Sequence, residues 1–295
     1  MTDMYDDERE WWQERFEEHR PRLRAVAYRM LGSLSEADDA VQDAWLRVSR
    51  TDTSAVENLA AWLTTVVARV SLNMLRARDT RREEPLDVHV PDPVVTPESG
   101  TDPEHEALLA DSVGLAMLVV LEQLSPAERL AFVLHDTFGM PFADIAAMID
   151  RTPDAARQLA SRARRRVRGA APAPDPDLAR QREVVDAFFA AARDGDFDAL
   201  VGVLHPDVLL RAEGAGGRST VLAGARDVAA SAATYRELAP FVRPVLVNGT
   251  AGALVVAKGK AVSVMGFTVV EGKIVAIDAL SDPERLASID LGDLS

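Results

Sequence analysis

The sequence predicts a multidomain chain in which two all-α domains, a helical bundle and a helix-turn-helix, precede an α+β domain. Three observations carry this expectation. Apolar residues recur at helical spacing through residue 168, proline-rich stretches interrupt the chain at 83–103 and 171–177, and an alternation of period two takes over from His205 onward. A length of 295 residues suits two or three domains of ~100–150 residues. The expected divisions are a bundle at 1–84, a linker at 85–103, a helix-turn-helix at 104–170, a second linker at 171–177 and the α+β domain at 178–295.

In the bundle, Phe16, Leu23, Val26, Ala27, Met30 and Leu31 mark a first helix from Trp11 that Gly32 closes. Ser35 is placed to cap the next helix, with Asp38 three residues on, and Ala37, Ala40, Val41, Ala44, Trp45 and Val48 form its apolar stripe. The opposite face displays Asp38, Asp39, Gln42 and Asp43. A polar connection, Thr51 to Glu57, leads to a third helix whose Leu59, Trp62, Leu63, Val66, Val67, Val70 and Leu75 point inward and which ends in an arginine cluster.

The linker PLDVHVPDPVVTPESGTDP reads as an extended tether that cannot build a core. Helical pattern resumes at Pro103 through Leu109, Val113, Met117, Leu121 and Leu124. Ser125-Pro126 with Glu128 has capping-box spacing, and that helix runs to about Gly139. A short apolar-periodic helix, Phe142 to Ile149, is broken by Arg151-Thr152-Pro153, and Asp154 to Arg168 is a basic helix. A short helix, a tight turn and a longer basic helix are the parts of a helix-turn-helix. Past the second linker, APAPDPD, come helices at Leu178–Ala192 and Phe197–Leu204. Antiparallel strands are expected at Val208–Arg211, Val242–Val247, Ala253–Ala257, Ala261–Val270 and Lys273–Ala279.

Composition excludes whole classes of function. The chain has no cysteine, so disulfides, thiolate zinc sites and cysteine nucleophiles are absent. No apolar run approaches the ~18 residues of a membrane span and the N-terminus is acidic, so the protein reads as cytoplasmic with no membrane partner. A net charge of -14 argues against nucleic acid, but the charge is partitioned. Residues 151–168 carry seven Arg against one Asp, and residues 69–82 five Arg against one Asp. Either cluster taken alone is equally a solvated helix face. In the recognition position of a helix-turn-helix stand Thr152, Pro153, Asp154, Arg157, Gln158, Ser161 and Arg162, of which Arg157 and Gln158 suit base edges. Arg164, Arg165 and Arg166 suit the phosphate backbone.

Read together, FGMPFADIAAMIDRTPDAARQLASRARRRV is similar to region 4 of the extracytoplasmic-function sigma factors, and LSEADDAVQDAWLRV resembles their region 2 helix. The resemblance implies core RNA polymerase and promoter DNA as partners. Asp38, Asp39, Gln42, Asp43, Trp45 and Leu46 are then the expected polymerase-docking residues. NLAAWLTTVVARVSLNMLRARDTRREE stands where the family melts the downstream promoter element, so Arg69, Arg76, Arg78, Arg81 and Arg82 would line the path of the separating strands, with the loop before Asn58 as a pocket for an unstacked base. For Trp45 and Trp62, core packing competes with base stacking.

Two short motifs narrow the resemblance to the subgroup carrying a C-terminal SnoaL-like domain, a cone-shaped α+β barrel. Val90, Pro91, Asp92 and Pro93 stand at the subgroup's WLPEP-like motif, whose Trp and Leu are absent here. Asp282, Pro283, Glu284 and Arg285, after Ser281, stand at its NPDK-like motif, and EGAGGR (Glu213 to Arg218) approximates its glycine-rich loop. The resemblance implies that the extension contacts the sigma domains or linker and regulates the factor. His205 and Asp207 invite an acid-base reading, against which His-Pro-Asp is a common turn; a small ligand in the C-terminal cavity is a further reading, and purely structural docking a third. No catalytic residue, metal or cofactor is assigned. The competing classes are a polymerase-independent helix-turn-helix regulator with a ligand-sensing domain and a SnoaL-type enzyme with a DNA-binding appendage.

Overall fold

The computed structural model describes residues 2–51, 56–81, 89–98, 114–170, 173–234 and 236–291, with side chains from residue 12 onward except at 81 and 234. Contacts divide the chain into two compact units. The first holds the described residues before 85 and those of 121–166; the second holds 89–98, 114–120 and 167 onward. The expected helical pattern at 103–113 lies outside the described residues.

In the first unit α1 (Thr2–Leu31), α2 (Leu34–Val48) and α3 (Leu59–Arg81) form the bundle. Gly32 ends α1 in the left-handed region at φ 73, a conformation a Cβ would resist. Ser33, not Ser35, then caps α2 by accepting the Glu36 N–H; the spacing rule fits both serines, and the sharp turn at Gly32 brings the earlier one into place. Packing follows the apolar stripes, with Phe16, Leu23, Met30, Leu63, Val67 and Leu72 in the interior.

Helix α4 (Leu115–Glu122) belongs to the second unit up to residue 120, while α5 (Pro126–Phe132), α6 (Phe142–Met148) and α7 (Pro153–Ala170) as far as residue 166 belong to the first. Ser125 and Glu128 cap α5 reciprocally in a capping box. Arg129 is only 3% exposed; its guanidinium donates to Leu121 O (2.7 Å) and Met30 O (2.8 Å), tying α5 to the last turn of α1. Thr152 Oγ1 accepts the Ala155 N–H at the start of α7, and Ala156, Ala160, Ala163 and Val167 are its buried stripe. Small alanines let this helix lie close to its neighbours while its other positions stay in solvent.

The second unit is α+β. Helices α8 (Leu178–Asp194), α9 (Phe197–Val203), α10 (Ala225–Thr234) and α11 (Pro283–Ala287) accompany one seven-stranded sheet. Its strands are β1 (Val95–Thr96), β2 (Leu204–Gly214), β3 (Arg218–Ala223), β4 (Val242–Val247), β5 (Thr250–Ala257), β6 (Lys260–Val270) and β7 (Lys273–Leu280), ordered β1-β4-β5-β6-β7-β2-β3. One core packs Val185 and Phe188 of α8 against Phe267, Val269, Ile274 and Ile277 of the sheet.

The expected antiparallel run needs correction at one pairing. β2 and β7 are parallel, because the chain crosses by way of α10 to β4 and the meander returns alongside β2 in the same direction. The 83–103 segment also differs from a bare tether: Val90, Val94 and Val95 are buried, and β1 pairs with β4 through Val95↔Val247 and Thr96↔Leu246. Asn248 closes the junction, donating its N–H to Val94 O and accepting the Val94 N–H on Oδ1. Pro91 and Pro93, which have no N–H to donate, precede the ladder rather than sit in it. Among the described residues no helix is long and apolar enough to cross a membrane.

Arg211 and Asp278, opposite each other across the parallel pair, form a bidentate ion pair at 2.6 and 3.1 Å with side chains 7% and 2% exposed. Burial pushes the Asp278 carboxyl up, opposed by the adjoining guanidinium. Arg211→Met therefore strands a buried carboxylate; we expect a loss of roughly 3–5 kcal/mol in urea unfolding, and a loss below about 1 kcal/mol would show the pair to be dispensable.

Candidate functional site: two basic helices, an acidic face and a docked tether

Helix α2 buries Ala37, Ala40, Val41, Ala44 and Val48, and the same periodicity turns Asp38, Asp39, Gln42, Asp43 and Leu46 to solvent. Leu46 is 45% exposed, an apolar side chain within an acidic face. Asp38 accepts a two-pronged contact from Arg24 at 2.6 and 3.2 Å. Trp45 is half-buried with its ring 5.0 Å from Phe16, so it packs within the bundle.

The arginines of α3 separate by environment. Arg69 and Arg76 are exposed; Arg69 reaches Ala147 O only at 3.5 Å. Arg78 is turned inward, its guanidinium donating to Leu31 O and pairing with Glu36, so it holds the end of α1 and the start of α2 together. The Arg81 side chain and Arg82 lie outside the described residues, as do positions 52–55 of the loop before Asn58. A groove of about 530 Å³ runs between α2 and α3, lined by Asp43, Arg47, Asn73 and Met74 among others.

On α7, Thr152, Pro153, Asp154, Arg157, Gln158, Ser161, Arg162 and Arg165 are all exposed. Arg157 pairs with Asp154 and lies over the Phe142 ring at 5.4 Å. Arg162 and Arg166 share Glu128, at 3.2 and 3.6 Å, and Arg164 pairs with Asp136 at 2.7 Å. The solvent-facing pair Arg157–Asp154 contributes little to stability.

In the second unit a charged cluster grips the tether. Asp282 caps α11, accepting the N–H groups of Glu284 and Arg285 at 3.0 Å, and its other oxygen accepts the Gly216 N–H. With the helix start fixed, Arg285 pairs with Asp92, donates to Val90 O at 2.7 Å and lies 2.8 Å from Glu213 Oε1. Glu213 Oε2 accepts the Val90 N–H at 2.9 Å and faces His89 Nδ1 at 2.9 Å. Glu284 and Pro283 remain exposed, while Pro91, Asp92 and Pro93 are buried. Glu213 was not among the site residues expected from sequence, although the EGAGGR segment that contains it was singled out.

His205 and Asp207 form a local turn. The Asp207 N–H donates to His205 Nδ1 at 3.1 Å, inside an irregularity of β2 between Leu204 and Leu209.

Burial alone would raise the Glu213 carboxyl, but His89, the Val90 N–H and Arg285 together outweigh it and lower the pKa from 4.5 to about 2. A carboxyl depressed on folding stabilises the folded state above its unfolded pKa and loses that contribution as pH falls through the folded value. The stability difference between the wild type and Glu213→Gln should thus shrink as pH falls from 4.5 to about 2. A difference that is flat across that interval would contradict the clasp.

Comparison with known proteins places these features. The Sigma-70 region 2 family model matches residues 15–81, and that of Sigma-70, region 4 matches residues 115–167. The chain is 38% identical over 297 residues to the ECF RNA polymerase sigma factor SigJ of Mycobacterium tuberculosis, covering 94% of this chain and 93% of that one. It is 40% identical over 193 residues to the probable ECF RNA polymerase sigma factor SigI of the same species, covering 64% of this chain and 66% of the relative. The crystal structure of Mycobacterium tuberculosis SigJ superposes with a TM-score of 0.76 at 35% identity, covering 95% of this chain and 99% of that one.

Proposed function

This chain belongs to the extracytoplasmic-function sigma factors of RNA polymerase, and on that premise we propose how its residues divide the work of promoter recognition. Region 2 docks on core polymerase through Asp38, Asp39, Gln42, Asp43 and Leu46 of α2. It borders the opening strands through Arg69 and Arg76 of α3, continued by Arg81 and Arg82. Region 4 reads the upstream promoter element with the start of α7: Arg157 and Gln158 on base edges, Thr152 and Ser161 beside them, and Arg162 and Arg165 on phosphates. Trp45 and Arg78 are assigned to packing, since both are engaged within the bundle.

One observation carries this reading. The buried stripe Ala156, Ala160, Ala163 and Val167 turns the region 4 residues proposed to touch DNA to the outside of α7. The match of region 2 at 15–81 sets aside a polymerase-independent regulator, which has no use for that domain. The SnoaL-like domain modulates the factor by gripping the Val90–Pro93 tether through Arg285, which Asp282 positions, and through Glu213. The engagement of His205 with a backbone amide of its own turn supports leaving catalysis out of the assignment. Ligand sensing by the domain belongs to the same regulatory reading.

Core enzyme supplemented with the protein should start run-off transcripts at a cognate promoter. Reversing both charges, Asp39→Arg with Asp43→Arg, should weaken core binding at least tenfold, about 1.4 kcal/mol; unchanged binding would remove the docking assignment. Substituting Gln158 by Ala should cost about 1–3 kcal/mol of discrimination at one base pair while sparing binding to unrelated DNA. Equal losses on all sequences would move Gln158 from base reading to the backbone.

A further inference from the structure

A cleft of about 220 Å³ lies in the SnoaL-like domain, with Arg182, Asp186 and Arg193 of α8 supplying its charged lining and Phe189, Val242 and Pro244 part of its apolar lining. Positions 182, 186, 189 and 193 fall on one face of the helix, with Asp186 about one turn from Arg182 and about two turns from Arg193. The volume lies below the ~300 Å³ at which drug-sized ligands begin, which points to a small molecule.

Arg182 makes this cleft chemically specific. Its Nη1 donates to Gly252 O at 2.9 Å and its Nη2 to Val245 O at 2.7 Å, which fixes the guanidinium against β4 and β5. Nη2 also pairs with Glu98, two residues past β1 of the tether. The Nε–H is buried and, among the described residues, has no hydrogen-bond partner. A carboxylate gripping an arginine from the side uses Nε and Nη2 together. Arg211 holds Asp278 in that way, and Arg24 holds Asp38 likewise. Glu98 therefore occupies half of a two-pronged site whose other half is an unsatisfied buried donor, a costly state that a better-placed carboxylate would relieve.

We infer that this cleft binds a small organic monocarboxylate, whose carboxylate takes the Nε–Nη2 edge of Arg182 in place of Glu98 while its apolar body lies against Phe189, Val242 and Pro244. Asp186, one turn along, disfavours a second negative charge and so limits the ligand to one carboxylate. Displacing Glu98 frees the tether just past its pairing with β4, which couples occupancy of the cleft to the hold on the tether. This deepens the regulatory reading above; the binding step itself is measured without polymerase, so it stands or falls apart from promoter recognition.

The test is calorimetric titration of the full chain with hexanoate and with its neutral counterpart hexanamide. Hexanoate should bind the wild type with a Kd of about 1 mM or tighter. Glu98→Gln, which removes the resident competitor, should bind hexanoate about fivefold more tightly. Arg182→Lys, checked for an intact unfolding transition, should lose hexanoate binding, because an ammonium lacks the planar fork. Hydrogen exchange over residues 94–98 should quicken when hexanoate is present. Equal binding of hexanamide, an unchanged or weaker affinity in Glu98→Gln, or exchange at 94–98 that stays constant under saturation would each overturn the proposal.

Discussion

The course of the tether over the C-terminal domain depends on one guanidinium. Arg285 reaches from the first turn of α11 to Asp92 and the Val90 carbonyl of the tether, and to Glu213 of β2. Its position is set by Asp282, which caps the helix, and the charges it joins are largely withdrawn from water. Removing any one of them leaves an ion without its partner in a partly buried place, a larger cost than the net contribution of the intact pair. The clasp thus specifies where the tether runs more than it stabilises the fold. Asn248 and the β1–β4 pairing continue the same path by four and five residues.

Charge partition explains how an acidic chain carries two basic helices. The carboxylates of Asp154, Glu128 and Asp136 are paired with arginines of α7. Of these only Arg157–Asp154 faces solvent on both sides, the kind of pair that contributes little to stability. Arg78 and Arg129 belong to another class. Both are turned to backbone carbonyls of the bundle, where they close the end of α1.

Much of the helical half was legible because helix-forming signals are local. The capping box at Ser125 and Glu128, the glycine stop at Gly32 and the stripes of α2 and α7 each lie within a few turns of chain. What escaped depends on distant partners. Periodicity cannot separate Ser33 from Ser35 as a cap, nor give the relative direction of β2 and β7. β3 was missed because Arg218–Ala223 is a largely exposed edge strand with no buried alternation to show. The Arg78–Glu36 pair joins residues 42 apart and Arg285–Asp92 residues 193 apart, so neither leaves a trace in local spacing. The tether shows the opposite failure: its prolines announced a break, while its valines waited for a sheet edge more than a hundred residues away.

In the function proposed above, the C-terminal α+β domain acts on transcription through its hold on the tether. A double-mutant cycle on Asp92→Asn and Arg285→Gln, read as run-off transcript from one promoter with core enzyme, tests it most directly. The start site should be the same in all four proteins, each single substitution should change the yield, and the double variant should match the singles rather than their product, since either change alone opens the clasp. Four equal yields, or changes that multiply as for independent sites, would contradict it.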